Sequence, residues 1–119
     1  MSFNVVTSVE PDHIRMTVSD VYSFDKMYDF IELVKVEADQ ARRTKVLIDC
    51  SDLEGSMTEA DRFQGGQRVA QVFGSRIQVA LIMPVGQVTK LGELTAVNRG
   101  ARFLVTESAA EAEEWLLNS

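Results

Sequence analysis

Between Lys45 and Arg62 the chain gathers Asp49, Asp52, Glu54, Glu59 and Asp61 with no basic residue among them, beside the lone Cys50 and the hydroxyls of Ser51, Ser56 and Thr58. Residues of these types can act as acid-base pairs, attack a substrate through a thiol or hydroxyl, or hold a cation. Each chemistry needs more than residue type. Nucleophilic catalysis requires a base within reach, and the single imidazole, His13, is predicted beside a turn at the start of a hairpin strand, as a surface or edge residue. A neighbouring carboxylate disfavours a Cys50 thiolate, so Cys50 reads as a small core residue. The acid spacing matches neither a calcium loop nor a hydrolase pair. Asp52-Leu-Glu-Gly55 is instead predicted as a turn, with Asp52 bonding the local main chain and Gly55 at an unusual backbone angle. No catalysis, metal or cofactor is expected. Asp49, Ser51, Asp52, Glu54, Ser56, Thr58 and Glu59 remain as a candidate contact surface for a partner.

Composition narrows the partner. A chain of 119 residues, 45% hydrophobic and 25% charged, suits one globular domain over residues 1–119 that buries roughly two-thirds of its unfolded surface. A net charge of −6 is the wrong sign for reading a phosphate backbone, so nucleic acid is not expected. Met-Ser-Phe-Asn-Val-Val at the start lacks the basic and apolar parts of a signal peptide. No apolar run approaches the roughly 20 residues of a membrane helix. A cytoplasmic protein without stable membrane insertion is expected.

The elements that must position the acidic stretch follow from periodicity. Phe3–Glu10 and His13–Ser19 are β-branched runs joined by Glu10-Pro11-Asp12, an antiparallel hairpin. Ser23 or Asp25 caps a helix whose Phe24, Met27, Phe30, Ile31, Val34 and Ala38 recur at three- and four-residue steps. Lys45–Cys50 carries consecutive apolar residues, the mark of an internal parallel strand. A second helix begins with Ser56 and Glu59 or with Thr58 and Asp61 as its cap and ends at Gly74, with Phe63, Gly66, Val69, Ala70 and Phe73 inward. Gly65-Gly66 within it implies either a bend or a closely packed neighbour. Arg76–Met83 is a central strand ending at Pro84. A helix follows over Val88–Asn98 with Leu91, Leu94, Ala96 and Val97 partly inward, then a strand over Ala101–Thr106. A last helix is opened by Ser108 with Glu111 and places Ala112, Trp115 and Leu116 inward. Alternation after the hairpin demands an α/β domain: a mixed, mostly parallel sheet of about five strands with about four helices.

Val46-Leu-Ile-Asp-Cys-Ser51, the strand Ala101-Arg-Phe-Leu-Val and the helix Ala109-Ala-Glu-Ala-Glu-Glu-Trp-Leu-Leu117 together resemble the STAS superfamily of sulfate transporter and anti-sigma factor antagonist domains. Within it the chain looks like the SpoIIAA-like branch of small bacterial proteins. The resemblance spans essentially the whole chain and implies a protein-interaction module with an anti-sigma or kinase-like partner. In anti-sigma factor antagonists an Asp-Ser-Ser-Gly segment opens the second helix and a serine is phosphorylated. The matching residues here are Met57-Thr58-Glu59-Ala60, a degenerate form that keeps a hydroxyl at Thr58, the candidate phospho-acceptor. Glu59 brings a fixed charge where phosphoserine would bring a switchable one.

A second expectation comes from Met16, Met27, Met57 and Met83 among aromatic residues and from the glycine pair. Methionine adapts to irregular apolar pockets, so a small apolar or acyl ligand, with transient membrane association, is the alternative. Composition also leaves room for a homodimer.

Overall fold

The computed structural model describes residues 2–118. Alternation in the first two runs produces β1 (Asn4–Val9) and β2 (Ile14–Ser19), paired antiparallel with Thr7 opposite Met16. Helix α1 (Phe24–Ala41) starts at Ser23, whose hydroxyl accepts from the Lys26 N–H, so Ser23 and not Asp25 is its cap. Then follow β3 (Lys45–Asp49), α2 (Glu59–Phe73), β4 (Gln78–Ile82), α3 (Leu91–Val97), β5 (Arg102–Thr106) and α4 (Ala109–Leu117). The sheet order is β1-β2-β3-β4-β5, with every pair after the hairpin parallel. This is the expected α/β architecture. Strands add in one direction only, so the sheet lacks the reversal of strand order that opens a ligand crevice in doubly wound folds.

One face of the sheet packs its Ile14, Met16, Val46, Ile48 and Val79 against α1, α2 and α3. The other face buries Leu47, Ala80 and Ile82 under Ala112 and Leu116 of α4, with Trp115 partly covered at the margin. Consecutive apolar residues in β3 and β4 are thus explained by cover on both sides.

Gly66 explains the glycine pair. A Cβ built there would lie 2.5 Å from the Gly92 carbonyl oxygen and 2.8 Å from Thr95 Cβ, so α3 packs backbone to backbone on α2. The helix is closely packed there, one of the two expected outcomes. That seam also corrects three inward assignments. Phe63, 40% exposed, lies at its margin beneath the Arg99 guanidinium, 5.5 Å from the ring centre. Leu94 and Val97 face solvent because α3 presents Thr95 and Ala96 to the seam instead. The helix is also shorter than expected, starting at Leu91 rather than Val88.

The two glycines should respond differently to substitution. Gly65→Ala meets only the flexible end of Met27, at 3.3 Å, and gains helix propensity, so it should be neutral or stabilising by up to about 1 kcal/mol. Gly66→Ala must push two backbones apart and should cost about 1–3 kcal/mol. Urea denaturation of both variants checks the contrast.

Candidate functional site

The acidic stretch leaves β3 at the C-terminal end of the sheet, and its residues divide between the two faces. Asp49 ends β3 on the α4 side. One of its oxygens accepts from the Ser51 N–H at 3.0 Å and the Ser51 hydroxyl at 2.6 Å; the other accepts from Arg15 at 2.9 Å. Arg15 also reaches Glu113 of α4 at 3.6 Å. Burial pushes the Asp49 carboxyl upward, but the Ser51 bonds and the Arg15 charge outweigh it and hold the group below its ordinary range. Asp49 is thereby a turn anchor kept ionised. It makes the main-chain bond expected of Asp52, whose side chain is exposed.

The stretch then crosses to the helical side. Leu53 N–H donates to the Cys50 carbonyl, and Glu54 exchanges main-chain bonds with Asp20 and Tyr22, tying the turn to the end of β2. Gly55 adopts φ +88°, the unusual angle expected there. Of the two possible caps, Thr58 serves: its hydroxyl accepts from Asp61 N–H at 3.0 Å. Ser56 is exposed just ahead of it. Glu59 accepts from Arg62 at 2.9 Å and from the Thr89 hydroxyl at 2.8 Å. Asp61 accepts from the Tyr22 phenol at 2.9 Å, and burial together with that carboxylate raises the phenol pKa. Asp49 and Ser51 therefore belong to the α4 side, whereas Glu54, Thr58 and Glu59 frame the head of α2.

Arg62 was not singled out by sequence reasoning, yet it organises this end of the molecule. Its guanidinium donates to the Met57 carbonyl at 2.8 Å and the Gln87 carbonyl at 2.9 Å, joining the β3–α2 turn to the β4–α3 loop. The only sequence signal was a lone arginine closing an acidic run. Behind it lies an apolar cavity of about 90 Å³ lined by Met27, Met57, Gly65, Val69, Met83 and Phe103, among others. Three of the four methionines noted from sequence thus meet there; Met16 is fully buried in the main core.

The remaining chemistry-bearing groups are placed elsewhere. Cys50 is buried, and burial with the Asp49 charge pushes its thiol up to about 12, so thiolate is not available near neutral pH. His13 pairs with Asp12 at 2.8 Å in the β1–β2 turn, at the opposite end of β2 from this site. It lies in the turn just outside β2, with its ring partly covered. Among the described residues no three His, Cys, Asp or Glu side chains are grouped to hold a metal ion. No helix among them is long and apolar enough to cross a membrane.

No family model matches the sequence, and no curated protein matches it significantly. A solved structure does. An uncharacterized DUF3478-family protein with a SpoIIAA-like fold, from Shewanella loihica PV-4, is similar over 97% of this chain and 94% of that one, with TM-score 0.51 and 17% identity. The fold expected from the strand and helix motifs is therefore the one observed, and at this identity the likeness speaks for the fold alone.

Asp49 gives the site a measurable signature. Its folded pKa lies below the ordinary 3.8, so its stabilisation is present above that value and is lost as pH falls through the folded pKa. Asp49→Asn should lose about 1.5–3 kcal/mol at neutral pH, the range for hydrogen bonds to a charged group. The gap from the parent should close as pH drops below the ordinary carboxylate range, as followed by urea denaturation across acid pH.

Proposed function

We propose that this SpoIIAA-like domain is a non-catalytic regulatory module of the cytoplasm that meets a protein partner, anti-sigma or kinase-like, through the acidic turn after β3. One observation carries the reading. The turn is fastened by the Asp49 bonds, Gly55 and the Thr58 cap, while Asp52, Glu54 and Ser56 are exposed and Glu54 bridges to exposed Val21. A preorganised acidic rim around an apolar residue suits a basic partner surface and loses little entropy on binding. Thr58 is the phospho-acceptor of this surface. A phosphate there would sit at a helix N-terminus, favoured by the dipole and opposed by Glu59 and Asp61, so the fixed charge of Glu59 leaves less for modification to change.

The double variant Asp52→Lys/Glu54→Lys tests this without touching the internal bonds. Captured partners should be lost from the variant, and capture by the parent should weaken steeply with salt. A partner set identical for both proteins overturns the surface.

The cavity supports a second reading, a seat for a small apolar or acyl ligand. Its volume admits only a few carbon atoms as it stands, and a longer chain would have to part α2 from α3 against the Gly66 seam and the Arg62 tie. Native mass spectrometry of freshly purified protein should then show a retained apolar mass. Clean apo spectra across preparations overturn it.

A further inference from the structure

We infer that the free edge of β1 is a self-association surface, on which a second copy of this chain pairs antiparallel about a two-fold axis through Thr7. The edge is open by register. Glu10 N–H donates to the His13 carbonyl at 2.8 Å, and bonded and non-bonded pairs alternate along an antiparallel ladder. Asn4, Val6 and Ser8 therefore bond toward β2, while Val5, Thr7 and Val9 aim their N–H and C=O groups outward. Val6 is 72% exposed and Val9 57%. The strand, Asn-Val-Val-Thr-Ser-Val, has none of the lysine, proline or other charge that commonly guards an edge.

The opposite edge is capped by the chain itself at Val105. Met83 N–H donates to the Thr106 carbonyl, so Thr106 faces β4 and Val105 faces outward. The Val105 N–H donates to Glu93 at 2.7 Å, and its carbonyl accepts from Lys90. With β5 blocked there, head-to-tail pairing of β1 on β5 is disfavoured, and the closed β1–β1 arrangement is left.

That arrangement is self-complementary. Centred on Thr7, it pairs Thr7 with Thr7, Val5 with Val9 and Val9 with Val5, all on the helical face, and Val6 with Ser8 on the other. Valine and threonine pairs of this kind favour a sheet. Glu10 falls opposite Asn4, so two chains of net charge −6 meet along the strand with no acid facing an acid.

Thr7→Pro tests the pairing, because the outward N–H it removes is not used by β2 and proline is tolerated at such a position. Sedimentation velocity should show a concentration-dependent dimer for the parent, with association weakened about tenfold or more by Thr7→Pro, which removes one bond from each copy. Thr7→Val should retain the dimer. As a readout independent of the proline's effect on folding, Thr7→Cys should cross-link under mild oxidation, since a bonded pair places the two Cα atoms about 5.5 Å apart. Gln71→Cys, exposed on α2, should not. Buried Cys50 leaves each introduced thiol as the reporter. A parent that stays monomeric to millimolar concentration, a dimer that Thr7→Pro leaves unchanged, or a Thr7→Cys variant that fails to cross-link overturns the inference.

Discussion

The approach of Gly66 to the Gly92 carbonyl sets how α2 is rolled on the sheet, and much else follows from that roll. With two backbones in contact, Gly65, Val69 and Phe73 turn inward and Phe63 is left at the margin under Arg99. The same roll points Arg62 across to Gln87 and leaves an unfilled apolar space beside Gly65. A side chain at residue 66 would fill no void; it would unseat α3. Gly66's cost in helix propensity is thus offset by a helix-helix contact that no residue with a Cβ could make.

Charge in this acidic protein is organised by pairing at the ends of the strands. Arg15 with Asp49, Lys26 with Asp20, Arg62 with Glu59 and Lys90 with Glu93 each fasten a loop or helix start at the same end of the sheet. The pairs with an exposed member, Arg62 with Glu59 and Lys90 with Glu93, contribute little stability each, while the part-buried Arg15–Asp49 and Lys26–Asp20 pairs contribute more, and all four hold loop geometry. The exposed acids between them, Asp52 and Glu54, are then displayed from a stiff frame.

The order of the nine elements among the described residues was legible because the apolar period changes sharply at each boundary and the caps Ser23, Thr58 and Ser108 stand where side-chain acceptors are needed. Gly55 was legible for a comparable reason, since its backbone angle suits few other residues. The failures share a cause. Leu94 and Val97 are apolar and helical, but a seven-residue helix has too few turns for its pattern to say which side is covered. The turn bond was assigned to Asp52 rather than Asp49, because Asp49's partner Arg15 lies 34 residues away and only the parallel β2–β3 register brings them together. Arg62 was invisible in the same way, because its meaning depends on Met57 and Gln87 carbonyls from two different loops.

The division of the helices between the faces bears on how the chain is assembled as it is synthesised. Strands enter the sheet in chain order, so each βα unit can settle on the one before it, which keeps the search local and fast. The second face follows a different schedule. Leu47, Ala80 and Ile82 stay uncovered until α4 arrives after all five strands. A nascent chain paused before Ala112 and Leu116 emerge would carry a nearly complete sheet with one greasy side bare. Covering that side is left to the last helix alone.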